Sequence, residues 1–198
     1  MPDSLYLNIW FPSFSEAEMM PRLLCVLKQF PASTERPGIG YVGVHSVAWE
    51  EPLVFQESFD FRAEPEHAIR LASQFLHADN AYVFETMWDL WTPDETNYDQ
   101  WVLKPSPVKF IVHGTEFDET AFQENGHIQA DFGLDTPFLY EDVELTALGE
   151  DRVKQNVQKL VNFTQAVEKA CAVSGRILWS ESEENLAQKL VARLQRVQ

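Results

Sequence analysis

The sequence predicts an α+β protein: a ferredoxin-like N-terminal half in the order βαββαβ, followed by a related ββ(β)αβα half. Three observations carry this. Short segments with period-two apolar alternation are interleaved with amphipathic segments of helical period. Pro37-Gly38, Glu51-Pro52 and Asp79-Asn80 punctuate them as turns. A hydrophobic fraction of 45%, with 13% aromatic residues over 198 positions, is ample for a packed core.

Leu5, Leu7 and Ile9 alternate with Tyr6, Asn8 and Trp10, which marks the first strand. Met20, Leu23, Leu24, Leu27 and Phe30 recur at helical spacing. Ser15 with Glu18 offers a capping box, but Pro21 prefers a first turn, which places the helix start near Glu18. Residues 39–48 and 53–61 read as a hairpin. Pro65 opens a second helix with Ile69, Ala72, Phe75 and Leu76 inward, and residues 81–87 read as a strand. In the split βαβ arrangement these four strands form one antiparallel sheet with two helices on one face.

Residues 107–113 and 126–132 look like strands, and 133–140 like a short third one. A helix over 150–173 carries Val153, Val157, Leu160, Val161, Thr164, Val167 and Cys171 on one stripe, with Gly175 suited to its left-handed cap. Residues 176–179 form a strand. Ser180 with Glu183 caps a last helix whose inward positions are Leu186, Leu190, Val191, Leu194 and Val197. The division expected is a lobe over 1–88, an acidic, aromatic crossover loop over 89–100 and a second lobe over 101–198. The lobes form either a divergent tandem or one continuous domain with an extended antiparallel sheet and helices on one face.

Charge is distributed unevenly. Residues 71–151 carry seventeen carboxylates against Lys104 and Lys109, a net −15 of the chain's −16. Residues 1–70 add −5 and residues 152–198 return +4. Such a field disfavours nucleic acid and anionic lipid and suits a basic or cationic partner. No run of about eighteen apolar residues exists to span a membrane. The first residues read as a strand rather than a signal peptide. Cys25 and Cys171 fall on apolar helix faces and read as buried, reduced thiols of a cytoplasmic protein.

No Walker loop, dinucleotide fingerprint, His-Glu-x-x-His, Cys-x-x-Cys or Gly-x-Ser-x-Gly is present, and no cofactor is expected. Two regions hold chemistry. If 108–113 pairs antiparallel with 126–132, one register sets Lys109 opposite Asp131 and His113 opposite His127. Two imidazoles would then stand near Glu116, Asp118, Glu119 and Glu124, a grouping that can serve a divalent metal or acid–base hydrolysis. Neither histidine lies in a recognised ligand spacing, so no metal is expected. The second region is the loop holding Trp88, Trp91, Asp94, Glu95, Tyr98, Asp99 and Trp101, without one positive charge. Aromatic faces backed by carboxylates seat guanidinium, ammonium or sugar rings.

The sequence therefore favours a non-catalytic binding protein, of inhibitor or immunity type, for a basic protein or a cationic small ligand. The alternatives are a small-ligand domain with a pocket between the lobes, and a metal-dependent or acid–base hydrolase built on His113 and His127.

Overall fold

The computed structural model describes residues 3–96, 100–140, 144–181 and 186–195. The strands are β1 (Ser4–Trp10), β2 (Ile39–Ser46), β3 (Leu53–Ala63), β4 (Asn80–Pro93), β5 (Trp101–His113), β6 (Ile128–Leu134) and β7 (Gly175–Ser180). The α-helices are α1 (Glu16–Gln29), α2 (Pro65–Ala72), α3 (Phe122–Asn125), α4 (Thr136–Leu139), α5 (Ala147–Ala170) and α6 (Leu186–Gln195). All seven strands join one sheet in the order β3-β2-β4-β5-β6-β1-β7, and every neighbouring pair is antiparallel.

The predicted order βαββαβ is present over the first half, but its separate four-stranded sheet is not. β1 pairs with β6 and β7, three strands away from β4. Leu5, Leu7 and Ile9 are fully buried and Asn8 nearly so. In this place both hydrogen-bonding edges of β1 are taken, by β6 on one side and β7 on the other.

Strand alternation sorts the sheet into two faces. Leu7, Val44, Phe84, Phe110 and Ala130 point toward α1 and α5, whose Leu23, Leu27, Val157, Leu160 and Phe163 complete the core. Phe30, just after α1, ties the layers, with its ring 5.5 Å from Trp88, 5.2 Å from Phe110 and 5.4 Å from Phe163. Each such fully buried side chain contributes roughly 1.5–3 kcal/mol. The opposite face is left open by every long helix, as a one-sided antiparallel sheet allows.

Of the expected crossover at 89–100, residues 89–93 instead continue β4, and 97–99 lie outside the described residues. The period-two burial of Tyr82, Phe84, Thr86, Trp88 and Leu90 carries β4 on to Pro93, paired with Trp101 of β5. Asp94 pins the turn by accepting from Thr96 N at 2.8 Å and Thr96 Oγ1 at 2.5 Å. β5 tolerates Pro105 and Pro107 because odd-numbered residues direct their N–H away from β4, as His113 N does in donating to His127 O at 2.9 Å. Where β2 ends, the other edge of β4 is covered by Ala32, bridged to Trp88, and by Ser33 N donating to Met87 O at 2.7 Å.

Other boundaries also move. α1 begins at Glu16 with Ser15 as N-cap in the Ser15–Glu18 box, so Pro21 lies inside the helix. Two reciprocal caps outweigh the one hydrogen bond that Pro21 forfeits. The short third strand expected over 133–140 is absent: Gly133 and Leu134 finish β6, and Thr136–Leu139 form α4 with Pro137 in its first turn. α5 starts at Ala147, capped by Thr146. The left-handed residue after it is Ala172, at φ 49°, while Gly175 opens β7. Val191 is exposed. Glu183 and Val197 lie outside the described residues.

Cys25 and Cys171 are joined in a disulfide, contrary to the expected pair of reduced thiols. α1 packs beside α5, which brings the two Cα atoms to 5.7 Å, within bridging range. No described helix is long and apolar enough to cross a membrane.

Candidate functional site in the open face of the sheet

One row of side chains crosses the open face in register through all seven strands: Ser58, Tyr41, Glu85, Lys109, Asp131, Tyr6 and Trp179. Lys109, the cation of this row, leans toward Glu85 with Nζ 3.8 Å from Oε1. Asp131 Oδ1 accepts from Gly133 N at 2.9 Å. Tyr6 and Trp179 face each other with centroids 4.9 Å apart.

Beside this row lies a cleft of about 330 Å³, lined by Tyr6, Trp49, Ile111, His113, Asn125, Gln129, Asp131, Trp179 and Glu181. Trp49 closes the β5 side, its ring set edge-on to His45 at 4.7 Å, Phe117 at 5.0 Å and His113 at 6.1 Å. Tyr6 and Trp179 close the other. The lining side chains include two carboxylates and no lysine or arginine.

The polar floor is held by a buried network. Gln129 Nε2 donates to Asn8 Oδ1 at 3.0 Å, and Asn8 Nδ2 donates to Glu124 O at 3.1 Å. His113 Nδ1 donates to the Gly126 carbonyl at 3.0 Å. Gly126 is required here: at φ 84° it lies so close to β1 that a Cβ would come within 2.7 Å of Ile9 N. Burial pushes the His113 imidazole down to about 4, so it stays neutral.

His127 has another role. Its Nδ1 accepts from Phe11 N at 3.0 Å, and its ring stacks on Phe14 at 4.4 Å and on Phe122 at 5.0 Å. The predicted register of Lys109 with Asp131 is observed, and His113 N meets His127 O. The two rings nevertheless serve separate packing environments. No group of three or more His, Cys, Asp or Glu placed to hold a metal occurs among the described residues.

The loop between β5 and β6 forms an acidic rim with Glu116, Asp118, Glu119 and Glu124. It is fastened to neighbouring loops by Asp118 N donating to Val47 O at 2.7 Å and Glu116 N to Ala78 O at 2.8 Å. Asp118, Glu119 and Thr120 are left-handed in succession, at φ 45°, 52° and 70°, and Val47 is so at 69°. Such backbone is costly and persists only where surrounding contacts enforce it.

The residues expected to form an aromatic seat are placed differently. Trp88 is fully enclosed in the core. Trp91 is half-buried on α5, its Nε1 donating to Gln155 Oε1 at 2.9 Å and its ring beneath the Arg152 guanidinium at 3.9 Å. Trp101 lies edge-on to Tyr140 at 5.4 Å. Asp94 holds the turn, and Glu95 pairs with Lys104 at 3.1 Å. Tyr98 and Asp99 lie outside the described residues. Aromatic faces and carboxylates instead meet in the cleft from four separate segments, with Tyr6 on β1, Trp49 after β2, Asp131 on β6, and Trp179 and Glu181 at the end of β7. The alternation of β1 and β6 put Tyr6, Gln129 and Asp131 outward in the sequence; Trp49 and Trp179 gave no such signal. No protein-family model, curated protein or solved structure matches this chain.

Proposed function

We propose that this protein is a non-catalytic binding protein that engages a basic protein partner through the open face of its sheet and the adjoining acidic loops. The observation that carries the reading is the separation of charge between layers. Asp131 and Glu181 line the cleft, Glu85 stands with Lys109 in the central row, and the adjoining β5–β6 loop carries Glu116, Asp118, Glu119 and Glu124. The basic surplus lies in the helical layer: Lys154, Lys159 and Lys169 on α5, Lys189 and Arg193 on α6, and Arg176 paired with Glu168 at 2.7 Å. A partner approaching the open face meets more carboxylates than cations, the latter being Lys109 and Arg36 beside Met87, which favours fast and selective association with a basic surface. An acidic protein of this kind acts as an inhibitor or immunity factor does, by occluding a basic one. The contact surface is moved from the segment 88–101, whose tryptophans pack inward. The disulfide argues against a reducing cytosol, and the cytoplasmic location expected from the sequence is not carried forward.

Selection of a displayed random-peptide library on the immobilised protein, at low and raised salt, tests this. Enriched peptides should be rich in Arg and Lys, weaken with salt and compete with one another for the open face. Enrichment of acidic or uncharged sequences would remove the proposal.

A further inference from the structure

We infer that the cleft between Trp49 and the Tyr6–Trp179 pair is a receptor for one arginine guanidinium presented by the partner. This rests on the reading of the open face as the binding surface and names the group it takes.

The cleft holds side-chain lone pairs that no described group uses. His113 and Gln129 both line the cleft and are each more than nine-tenths buried. With Nδ1 donating to Gly126 O, the neutral His113 ring keeps a lone pair on Nε2, for which the described residues supply no hydrogen-bond partner. With its amide nitrogen donating to Asn8, Gln129 keeps Oε1 as an acceptor, also without a partner. The Asn8–Glu124 bond fixes this orientation, because a carbonyl can only accept and so sets which end of Asn8 faces Gln129. Asp131 uses Oδ1 for Gly133 N, and its register neighbour Lys109 is drawn to Glu85, so the second carboxylate oxygen remains available. Glu181 adds a further carboxylate at the mouth. Four side chains therefore offer acceptors, beside one buried donor without a partner, Trp179 Nε1, and none of the described lining side chains carries a positive charge.

The occupant must be rich in donors, positively charged and flat enough to lie against aromatic rings. A guanidinium supplies five N–H donors in one plane and no acceptor, and it stacks on Trp and Tyr. An ammonium group carries the charge but has three donors around a point and no face to stack. An anion finds no cation here. A neutral sugar hydroxyl would pair with Trp179 Nε1 but would leave the carboxylates of Asp131 and Glu181 without a counter-charge.

The test uses a blocked tripeptide, acetyl-Gly-Arg-Gly-amide, beside its lysine and citrulline analogues, titrated into the full chain and followed by NMR of the indole and side-chain amide signals. The arginine peptide should shift Trp49, Trp179 and Gln129 in a saturable way. Citrulline, which keeps the shape and loses the charge, should bind about tenfold more weakly or worse, with lysine between the two. Asp131→Asn should lower arginine affinity about tenfold, and Gln129→Met, which keeps volume and removes the acceptor, about threefold. Equal binding of citrulline and arginine, or shifts confined to other tryptophans, would overturn the inference. Selected basic peptides that bind with normal salt dependence but ignore Asp131→Asn would sink the guanidinium site and leave the broader reading standing. Selected peptides without basic residues would sink both.

Discussion

Asn156 lies in the middle of α5, where asparagine is a poor helix former, yet it is buried. Its Oδ1 accepts from Trp91 N at 2.9 Å, and its Nδ2 donates to Trp91 O at 2.8 Å and Pro137 O at 2.9 Å. One side chain thus does for β4 what a neighbouring strand would do, and ties α4 in as well. Asn156→Ala strands three buried backbone groups, so we expect a loss of about 2–4 kcal/mol in urea unfolding. A change below about half a kcal/mol would mean that water replaces the amide.

His113 gives a second outcome at this scale. Its folded value of about 4 lies below the ordinary 6.5, so the unfolded chain takes up this proton first as pH falls. Above 6.5 both states leave the ring neutral and its contribution is level; from there toward 4 stability declines. By about pH 4.5 the loss attributable to this ring should reach about 2–3 kcal/mol. His113→Gln should flatten that part of the profile, leaving a smaller slope from His127, which burial lowers in the same direction. Parallel pH profiles for wild type and variant would dismiss the buried, neutral ring. Local pattern revealed this much, since alternation placed His113, Gln129 and Asp131 on a common face. It could not reveal that His127 turns into a stack with Phe14, just before α1, and Phe122 of α3, because the first of these contacts spans more than a hundred residues.

Among elements, nearly every strand and long helix was visible in the sequence, while the order of the strands was not. Alternation says that a segment is half-buried and nothing about which neighbour it pairs with. β1 carries the same signal whether it joins β2 and β4 or β6 and β7, and only the packing of the whole sheet decides. The tryptophan-rich stretch misled for a related reason. Pro93, Pro105 and Pro107 look like strand breakers, yet they stand at a hairpin end or on N–H groups facing away from β4. The disulfide was equally hidden, since cysteines on two helices 146 residues apart carry no spacing signature. It staples α1 to the end of α5. Cys25→Ser with Cys171→Ser should cost about 2–4 kcal/mol, or roughly 4–16 °C in Tm, and reduction of the wild type should reproduce that loss. Indifference of wild-type stability to reductant would show that the thiols are unpaired in solution.

At the scale of the whole molecule, the relevant quantity is where the charge lies. A net charge of −16 spread evenly would only keep the chain soluble, whereas here one layer holds the basic surplus and the other the acidic rim. Glu116, Asp118 and Glu119 sit on a loop whose backbone is tied to Val47 and Ala78, so the segment that carries their carboxylates is set before any partner arrives. Neutral isosteres separate their electrostatic role from their structural one. Asn tolerates the left-handed conformation of Asp118 at least as well as Asp, and Gln matches Glu in size. The triple variant Glu116→Gln, Asp118→Asn, Glu119→Gln should therefore keep its unfolding midpoint at high salt and gain slightly at low salt, as like-charge repulsion is relieved. Its association rate with a selected basic partner should fall about tenfold at low salt and converge on the wild-type rate as salt rises. The dissociation rate should change little, because short-range contacts in the cleft remain. Asp131→Asn should do the reverse, raising the dissociation rate and leaving the association rate nearly intact. If the triple variant instead loses affinity through faster dissociation, or at all salt concentrations alike, the rim is a contact surface, and the division into steering loops and anchoring cleft is wrong.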